Sequence, residues 1–186
     1  MHLKPESEKL NTLPGAIMLK KSMLKALNEQ INAEIYSAYL YFSMSAYCQS
    51  KDLVGAASWF RVQAQEELFH ASKFFDYIQD RDGLVTLTEI AGPPTTWKSA
   101  LAAFEQALEH EQLVTARINK LVDLALKESD HTTNTFLQWF VNEQIEEESS
   151  VRQVIGQLRL VGDGSGMYLV DRELGTRTFT MPAPAA

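Results

Sequence analysis

Residues 56–78, AASWFRVQAQEELFHASKFFDYI, decide the fold of this chain. Core positions recur there every three or four residues, which is the spacing of one face of an α-helix. The stripe along that face consists of Ala56, Phe60, Gln63, Glu67, His70, Phe74 and Ile78. A carboxylate and an imidazole therefore stand on a face whose other residues predict burial, where an uncompensated charge is costly. The segment predicts a long helix with a chemical site near its middle.

The same spacing occurs in three further segments, so the sequence predicts four helices of roughly 30 residues and about 45 Å each. Their predicted ranges are about 19–48, 52–79, 96–127 and 131–160. Each stripe carries one glutamate near the midpoint of its helix. These glutamates are Glu34, Glu67, Glu111 and Glu147. Because the midpoints of packed neighbours lie at one level, we expect the four carboxylates to converge in the centre of a bundle.

The lengths of the connections predict how the helices run. Short links near residues 49–51 and 129–131 make each flanking pair antiparallel. The middle link, about 80–95, contains two adjacent prolines and in extended form spans about 50 Å, enough to return along a whole helix. The predicted fold is all-α, a four-helix bundle with one long crossover. A short fifth helix is predicted at 167–174, and it must pack on something to be stable.

The chain is expected to form one domain over residues 18–175. A flexible extension over 1–17 precedes it, and a flexible tail over 176–186 follows it. The chain of 186 residues is long enough for a substantial core.

Composition excludes several classes of function. A net charge of −7 argues against a nucleic-acid partner, since such proteins are usually basic. No apolar run approaches the roughly 20 residues of a membrane span, and the first residues lack the apolar core of a signal peptide, so we expect the cytoplasm and no membrane partner. The single cysteine, Cys48, excludes an intrachain disulfide and a cysteine-rich metal site. It is expected to be an inert, partly buried thiol.

The spacing of the polar stripe residues predicts a metal site. Glu67 and His70 are separated by three residues, so they share a helix face and can bind one ion together. Gln144 and Glu147 repeat that spacing on the fourth helix. Carboxylates with an imidazole and no thiolate suit Fe, Mn or Zn.

Four motifs, in this order along the chain, resemble bacterial non-haem ferritin. They are Asn32–Ser37 (NAEIYS), Ala64–His70 (AQEELFH), His110–Leu113 (HEQL) and Phe136–Gln144 (FLQWFVNEQ). The resemblance covers roughly residues 18–175 and implies the ferritin-like di-iron fold. It implies that Fe(II) is oxidised by oxygen or hydrogen peroxide and stored as a ferric mineral inside a homo-oligomeric shell of about 24 copies.

The resemblance also implies a role for each matching residue. Glu34, Glu67 and His70 match the ligands of the first iron, and Glu67 would bridge to a second iron that Glu111 completes. Gln144 and Glu147 match residues close by that orient water or oxygen, and Tyr41 matches a tyrosine that hydrogen-bonds near the centre. The implied catalytic set is Glu34, Tyr41, Glu67, His70, Glu111 and Gln144.

A third iron position is implied towards the inner surface of the shell. Its matching residues are Glu66, Glu143, Glu146 and Glu147. Glu66 and Glu143 each neighbour a core residue and so point about 100° away from it, which favours a place beside the central site.

Two departures from related families sharpen the expectation. Gln144 stands where symmetric di-iron enzymes carry the glutamate of a second E-x-x-H motif, which leaves the second iron weakly held and suits a site that releases its product. Leu68 stands where bacterioferritins place their haem-ligating methionine, so no haem is expected.

Two other classes remain as alternatives. A rubrerythrin-like di-iron peroxidase normally needs an electron-donor module, and one cysteine cannot build a rubredoxin. A DNA-protecting mini-ferritin places its ligands at a subunit interface and lacks a C-terminal fifth helix. Iron storage with ferroxidase activity is the favoured interpretation.

Overall fold

A computed structural model describes residues 18–162 and 164–180 of the chain. Within these ranges the chain forms five α-helices and no strand. The helices are α1 (Lys21–Gln49), α2 (Val54–Asp80), α3 (Ala100–Glu128), α4 (His131–Val161) and α5 (Gly166–Leu174). The predicted all-α bundle with a short fifth helix is confirmed. The extension predicted for residues 1–17 lies outside the described residues.

The turn between α3 and α4 is made by two adjacent polar residues. Ser129 ends α3 in the left-handed region, with φ of 58°. The carboxylate of Asp130 then accepts a hydrogen bond from the backbone N–H of Thr133 at 3.0 Å, which satisfies a free donor at the start of α4. This tight reversal makes α3 and α4 antiparallel neighbours.

The long connection between α2 and α3 runs along the outside of α1. Near its beginning, the Asn28 side chain donates to the carbonyl oxygen of Leu84 at 3.1 Å. Near its end, the Ser43 hydroxyl donates to the carbonyl oxygen of Pro94 at 2.5 Å. Because the contacts advance along both segments together, the connection crosses most of the length of the bundle, and the predicted crossover is confirmed.

The core of the bundle is divided into two apolar clusters. One cluster joins the second half of α1 to the first half of α2, and it includes Tyr41, Phe60 and Phe104. The other cluster, at the opposite end, includes Phe74 and Phe140. The buried members of both clusters leave out one stretch near the middle of each long helix, at residues 32–37, 65–73, 108–113 and 141–150. That middle level is left to polar side chains.

The fifth helix docks on the N-terminus of α2. The Asp171 carboxylate accepts hydrogen bonds from the backbone N–H groups of Gly55 and Ala56 at 3.0 and 2.8 Å, so it acts as the cap that α2 otherwise lacks. A Cβ atom at position 55 would lie 1.6 Å from the carbonyl oxygen of Asp171, so only glycine permits this approach. Tyr168 and Leu169 on α5 remain exposed.

Two smaller expectations concern single features. Cys48 is fully buried, more deeply than the sequence predicts, and burial raises the pKa of its thiol to about 12. Within the described parts of the chain, no helix combines the length and apolarity needed to cross a bilayer.

Candidate metal centre

A layer of buried polar side chains separates the two apolar clusters. Every member of this layer is at most 4% exposed. The members are Gln30, Glu34, Gln63, Glu67, His70, Glu111, Gln144 and Glu147. The four glutamates come from four different helices and lie at one level, so the structure brings together the side chains that the helical stripes singled out.

Glu34, Glu67 and His70 form the tightest group. One ligand atom from each lies within 4.8 Å of the others. Glu34 Oε1 accepts a hydrogen bond from Gln30 Nε2 at 2.9 Å. The other carboxylate oxygen, Glu34 Oε2, is buried and accepts no hydrogen bond from the described residues. A buried oxygen without a donor is costly in an empty pocket and fits a ligand for a cation.

Glu111 approaches the same centre from α3. The Tyr41 hydroxyl donates a short hydrogen bond to Glu111 Oε1. The Gln144 side-chain amide donates to Glu111 Oε2 at 3.2 Å. The two donors hold the carboxylate in one orientation, and Tyr41 and Gln144 both lie where the sequence motifs predict them, beside the centre.

Glu147 is linked to Glu67 through Gln63. The single amide nitrogen Nε2 of Gln63 donates to Glu67 Oε1 at 3.2 Å and to Glu147 Oε2 at 2.5 Å. Glu147 also belongs to a second possible metal group, since one ligand atom each of His70, Glu143 and Glu147 lie within 4.8 Å of one another. Glu147 is therefore common to the centre and to the half-buried rim at Glu143.

The remaining two residues of the predicted third iron position lie differently. Glu66 is half-buried and forms an ion pair with Arg177, with 2.5 Å between Oε2 and the guanidinium nitrogen Nη2. Glu146 is exposed, and it belongs to neither of the two groups that the described residues form. A third iron position that uses both residues stays a prediction.

Burial and mutual repulsion keep these carboxyls from ionising easily. Burial is the main cause that raises the pKa of Glu34 to about 8, and repulsion from Glu67 is the second. Burial likewise raises the pKa of Glu147 to about 8, and repulsion from Glu111 is the second cause. The pKa values of Glu67 and Glu111 lie well above the usual carboxyl value for the same first reason. A bound cation would reverse this balance and ionise the group.

Gln30 and Gln63 are donors for which the sequence motifs imply no role. Gln30 precedes Glu34 by four residues, and Gln63 precedes Glu67 by four residues, so each pair shares a helix face. That spacing was visible in the sequence and could have identified both glutamines as donors to the carboxylates.

No pattern in the sequence indicates that Arg177 belongs near the centre. It lies in the segment for which the sequence predicts a flexible tail, yet it contacts α2 at Glu66 and at Gln63. Residues 176–180 of that segment are described, and residues 181–186 lie outside the described ranges.

Leu68, which stands at the haem-methionine position of bacterioferritins, lies on the outer face of α2 and is 42% exposed. Its side chain points away from the buried layer and contributes nothing to the centre.

The chemistry of the layer is that of an oxygen-rich cation site. Four buried carboxylates and one imidazole, without a thiolate, suit Fe, Mn or Zn. Each of the four carboxylates accepts a hydrogen bond from a neutral glutamine amide, which helps to fix its orientation and leaves other lone pairs for a cation.

Comparison with known proteins places this architecture among the ferritins. The Ferritin family, described as a ferritin-like domain, matches residues 24–161. A bacterial non-heme ferritin from Campylobacter jejuni is 44% identical over 156 residues, which cover 83% of this chain and 93% of the relative. The bacterial non-heme ferritin of Escherichia coli O6:H1 is 42% identical over 160 residues, which cover 86% of this chain and 97% of the relative.

Solved structures agree with the sequence relatives. A form of the Archaeoglobus fulgidus ferritin engineered to be closed superposes with a TM-score of 0.86 at 51% identity, covering 87% of this chain and 99% of the other. The open-pore ferritin of the same hyperthermophilic archaeon gives 0.85 at 50% identity, with 86% and 99% covered.

Proposed function

Because this chain belongs to the ferritin family, we propose that it oxidises Fe(II) at the buried carboxylate layer and stores the product as a ferric mineral within a shell of its own copies. One observation carries the proposal. The layer gives Glu34 Oε2 no donor among the described residues and places it beside Glu67 and His70, where a buried oxygen needs either a proton or a bound cation.

The first Fe(II) binds to Glu34, Glu67 and His70. This assignment is supported by the 4.8 Å grouping of one ligand atom from each residue. The imidazole supplies the borderline nitrogen ligand and the carboxylates supply charge, which is a donor set suited to Fe(II). Gln30 holds one oxygen of Glu34 and leaves the other directed at the ion.

The second Fe(II) binds between Glu67 and Glu111, so that Glu67 bridges the two ions. Tyr41 and Gln144 hold Glu111 through one hydrogen bond to each of its oxygens. Gln144 is neutral, so the second ion meets one negative charge fewer than it would with a glutamate. The consequence is weaker binding, which suits an iron that is to be passed on.

The redox step balances with an external oxidant. Two Fe(II) ions give up one electron each, and O₂ takes two electrons and two protons to become hydrogen peroxide. If hydrogen peroxide is the oxidant, it takes two electrons and two protons to become two water molecules. Holding both ions in one buried site lets a two-electron oxidant react without releasing a one-electron product.

Oxidised iron leaves towards the rim of the bundle. Glu147 is the residue through which we expect it to pass, since it belongs with His70 and Glu143 to the second possible metal group. Glu66 and Glu146 complete a third iron position in this proposal. Glu143 is half-buried, and burial is the first cause of the rise in its pKa.

The shell is supported by apolar residues that one bundle leaves uncovered. Leu160 near the end of α4 and Tyr168 and Leu169 on α5 are each more than 60% exposed. Contacts between copies would bury them. We propose a closed homo-oligomer of about 24 copies that works in the cytoplasm, with iron and oxygen or hydrogen peroxide as its small-molecule partners.

Anaerobic loading followed by mixing with oxygen tests this function. Stopped-flow absorbance should show a fast phase of Fe(II) oxidation, and light scattering should show a hollow particle that gains mass as the mineral grows. A protein that remains monomeric or dimeric across salt and pH, or one that oxidises Fe(II) no faster than buffer, would contradict the proposal.

A further inference from the structure

Arg177 places a fixed positive charge at the rim of the centre. Its guanidinium contacts three groups on α2. Nη2 lies 2.5 Å from Glu66 Oε2, Nη1 donates to Gln63 Oε1 at 2.8 Å, and the guanidinium lies 4.3 Å from the centroid of the Trp59 ring. The side chain is only 22% exposed. Ion pair, hydrogen bond and ring contact together hold the guanidinium in one place.

The neighbouring backbone supports this placement. The cap that Asp171 provides to α2 anchors α5. The chain then leaves α5 along α2, where the ring of Phe179 lies 6.3 Å from that of Phe69. Arg177 is therefore anchored on both sides.

The contact with Gln63 fixes the direction of that side-chain amide. A guanidinium only donates hydrogen bonds, so it must face Oε1 of Gln63. The amide nitrogen must then face the opposite way, towards Glu67 and Glu147, where it is found. Arg177 thereby helps to orient a donor to two iron-binding carboxylates without touching them.

The contact with Glu66 has a different consequence. Glu66 is a proposed ligand of the third iron, and its carboxylate is already paired with a cation. An iron ion that uses Glu66 must displace the guanidinium or bind beside it, and both cost free energy because the pair is largely desolvated.

We propose that Arg177 is a positioning residue that competes with iron for Glu66 and thereby weakens the third iron position relative to the central pair. This inference rests on the proposed function and concerns only how that site retains and passes on its iron. A weakened third position keeps iron moving from the centre towards the mineral.

Zn(II) is a suitable probe because it does not change oxidation state. Crystals of the whole assembled protein are equilibrated with rising Zn(II), and anomalous diffraction gives the occupancy of each position separately. Arg177→Gln removes the charge with a side chain of similar polarity. Arg61→Gln is the matched control, since Arg61 is an exposed arginine on α2 and its loss changes the net charge equally.

In Arg177→Gln, half-occupancy of the position beside Glu143 is expected at a Zn(II) concentration lower by at least about fivefold, the size of a typical coupling between neighbouring sites. The central pair should change less, and Arg61→Gln should match the wild type. Arg177→Lys should stay near the wild type because it retains the charge. Circular dichroism and light scattering establish that each variant is folded and assembled.

Three outcomes would overturn the inference. If Zn(II) fills the central pair in Arg177→Gln but the occupancy of the third position is unchanged, Arg177 does not compete with the metal for Glu66. That result would leave the proposed function intact. An equal effect in Arg177→Lys would show that packing, and not charge, is responsible. Zn(II) absent from the central pair in every variant would contradict the proposed function itself.

Discussion

Cation binding at the central layer should expel protons, and the number follows from the pKa values of two carboxyls. Burial raises the pKa values of Glu34 and Glu147 to about 8 in the metal-free protein. At pH 7 each group is then about nine-tenths protonated, and each must lose its proton to bind a cation. Together they should release about two protons per subunit at pH 7, to which Glu67 and Glu111 add.

The sign of the pH dependence follows from the same shift. A carboxyl whose pKa is raised on folding keeps its proton in the folded protein, between pH 4.5 and about 8, after the unfolded chain has lost it. The free energy of unfolding of the metal-free protein should therefore fall across that interval, by up to about 1.4 kcal/mol per pH unit for each such group. Zn(II) should remove this dependence, because the bound carboxylates are ionised at all of these pH values.

Isothermal titration with Zn(II) in buffers of different ionisation enthalpy measures the proton release directly. The joint contribution of Glu34 and Glu147 should fall to about one proton at pH 8, where each is half ionised. Glu34→Gln, which has no proton to lose, should lower the release at pH 7 by about one. A release below about half a proton per subunit in the wild type at pH 7 would refute the reasoning, because it would mean that the buried carboxyls are ionised before the cation arrives.

Three further changes probe separate parts of the account. Glu67→Ala removes the proposed bridging ligand and should slow the fast phase of Fe(II) oxidation on the order of 100-fold or more. Circular dichroism should show no loss of helix content. A wild-type rate by stopped-flow absorbance would contradict the assignment of Glu67 as the bridging ligand. Glu143→Ala should leave the first Fe(II) addition fast and slow the second, because the rim passes iron on; identical kinetics for both additions would count against a third position. Gly55→Ala places a Cβ 1.6 Å from the Asp171 carbonyl oxygen, so α5 should detach at a cost of about 1–3 kcal/mol. Light scattering should then report incomplete shells. Intact shells with unchanged thermal stability would argue that α5 is not held there.

The fold could be predicted from the sequence because its strongest signals are local. A three-and-four residue spacing sustained over about eight turns leaves one interpretation, and two short links with one long link leave one topology. The central site was predictable for the same reason, since Glu34, Glu67, Glu111 and Glu147 interrupt stripes that are otherwise apolar.

What the sequence did not reveal depends on contacts between distant segments. Arg177 lies 111 residues from Glu66 along the chain, and no local pattern connects the two. His110 likewise depends on another helix: its Nε2 lies 2.8 Å from Ser37 Oγ, and burial lowers its pKa to about 4. In both cases the neighbour that decides the environment comes from another helix or from the C-terminal segment.

The central claim is that the buried layer holds two iron ions, one on Glu34, Glu67 and His70 and one between Glu67 and Glu111. Anomalous diffraction at the iron edge, from crystals soaked anaerobically in Fe(II), tests it most directly. Two peaks that share Glu67 as a ligand are expected inside each bundle, and the peak on the Glu111 side should have the lower occupancy. Iron found only on exposed carboxylates, with the layer between the two apolar clusters empty, would contradict it.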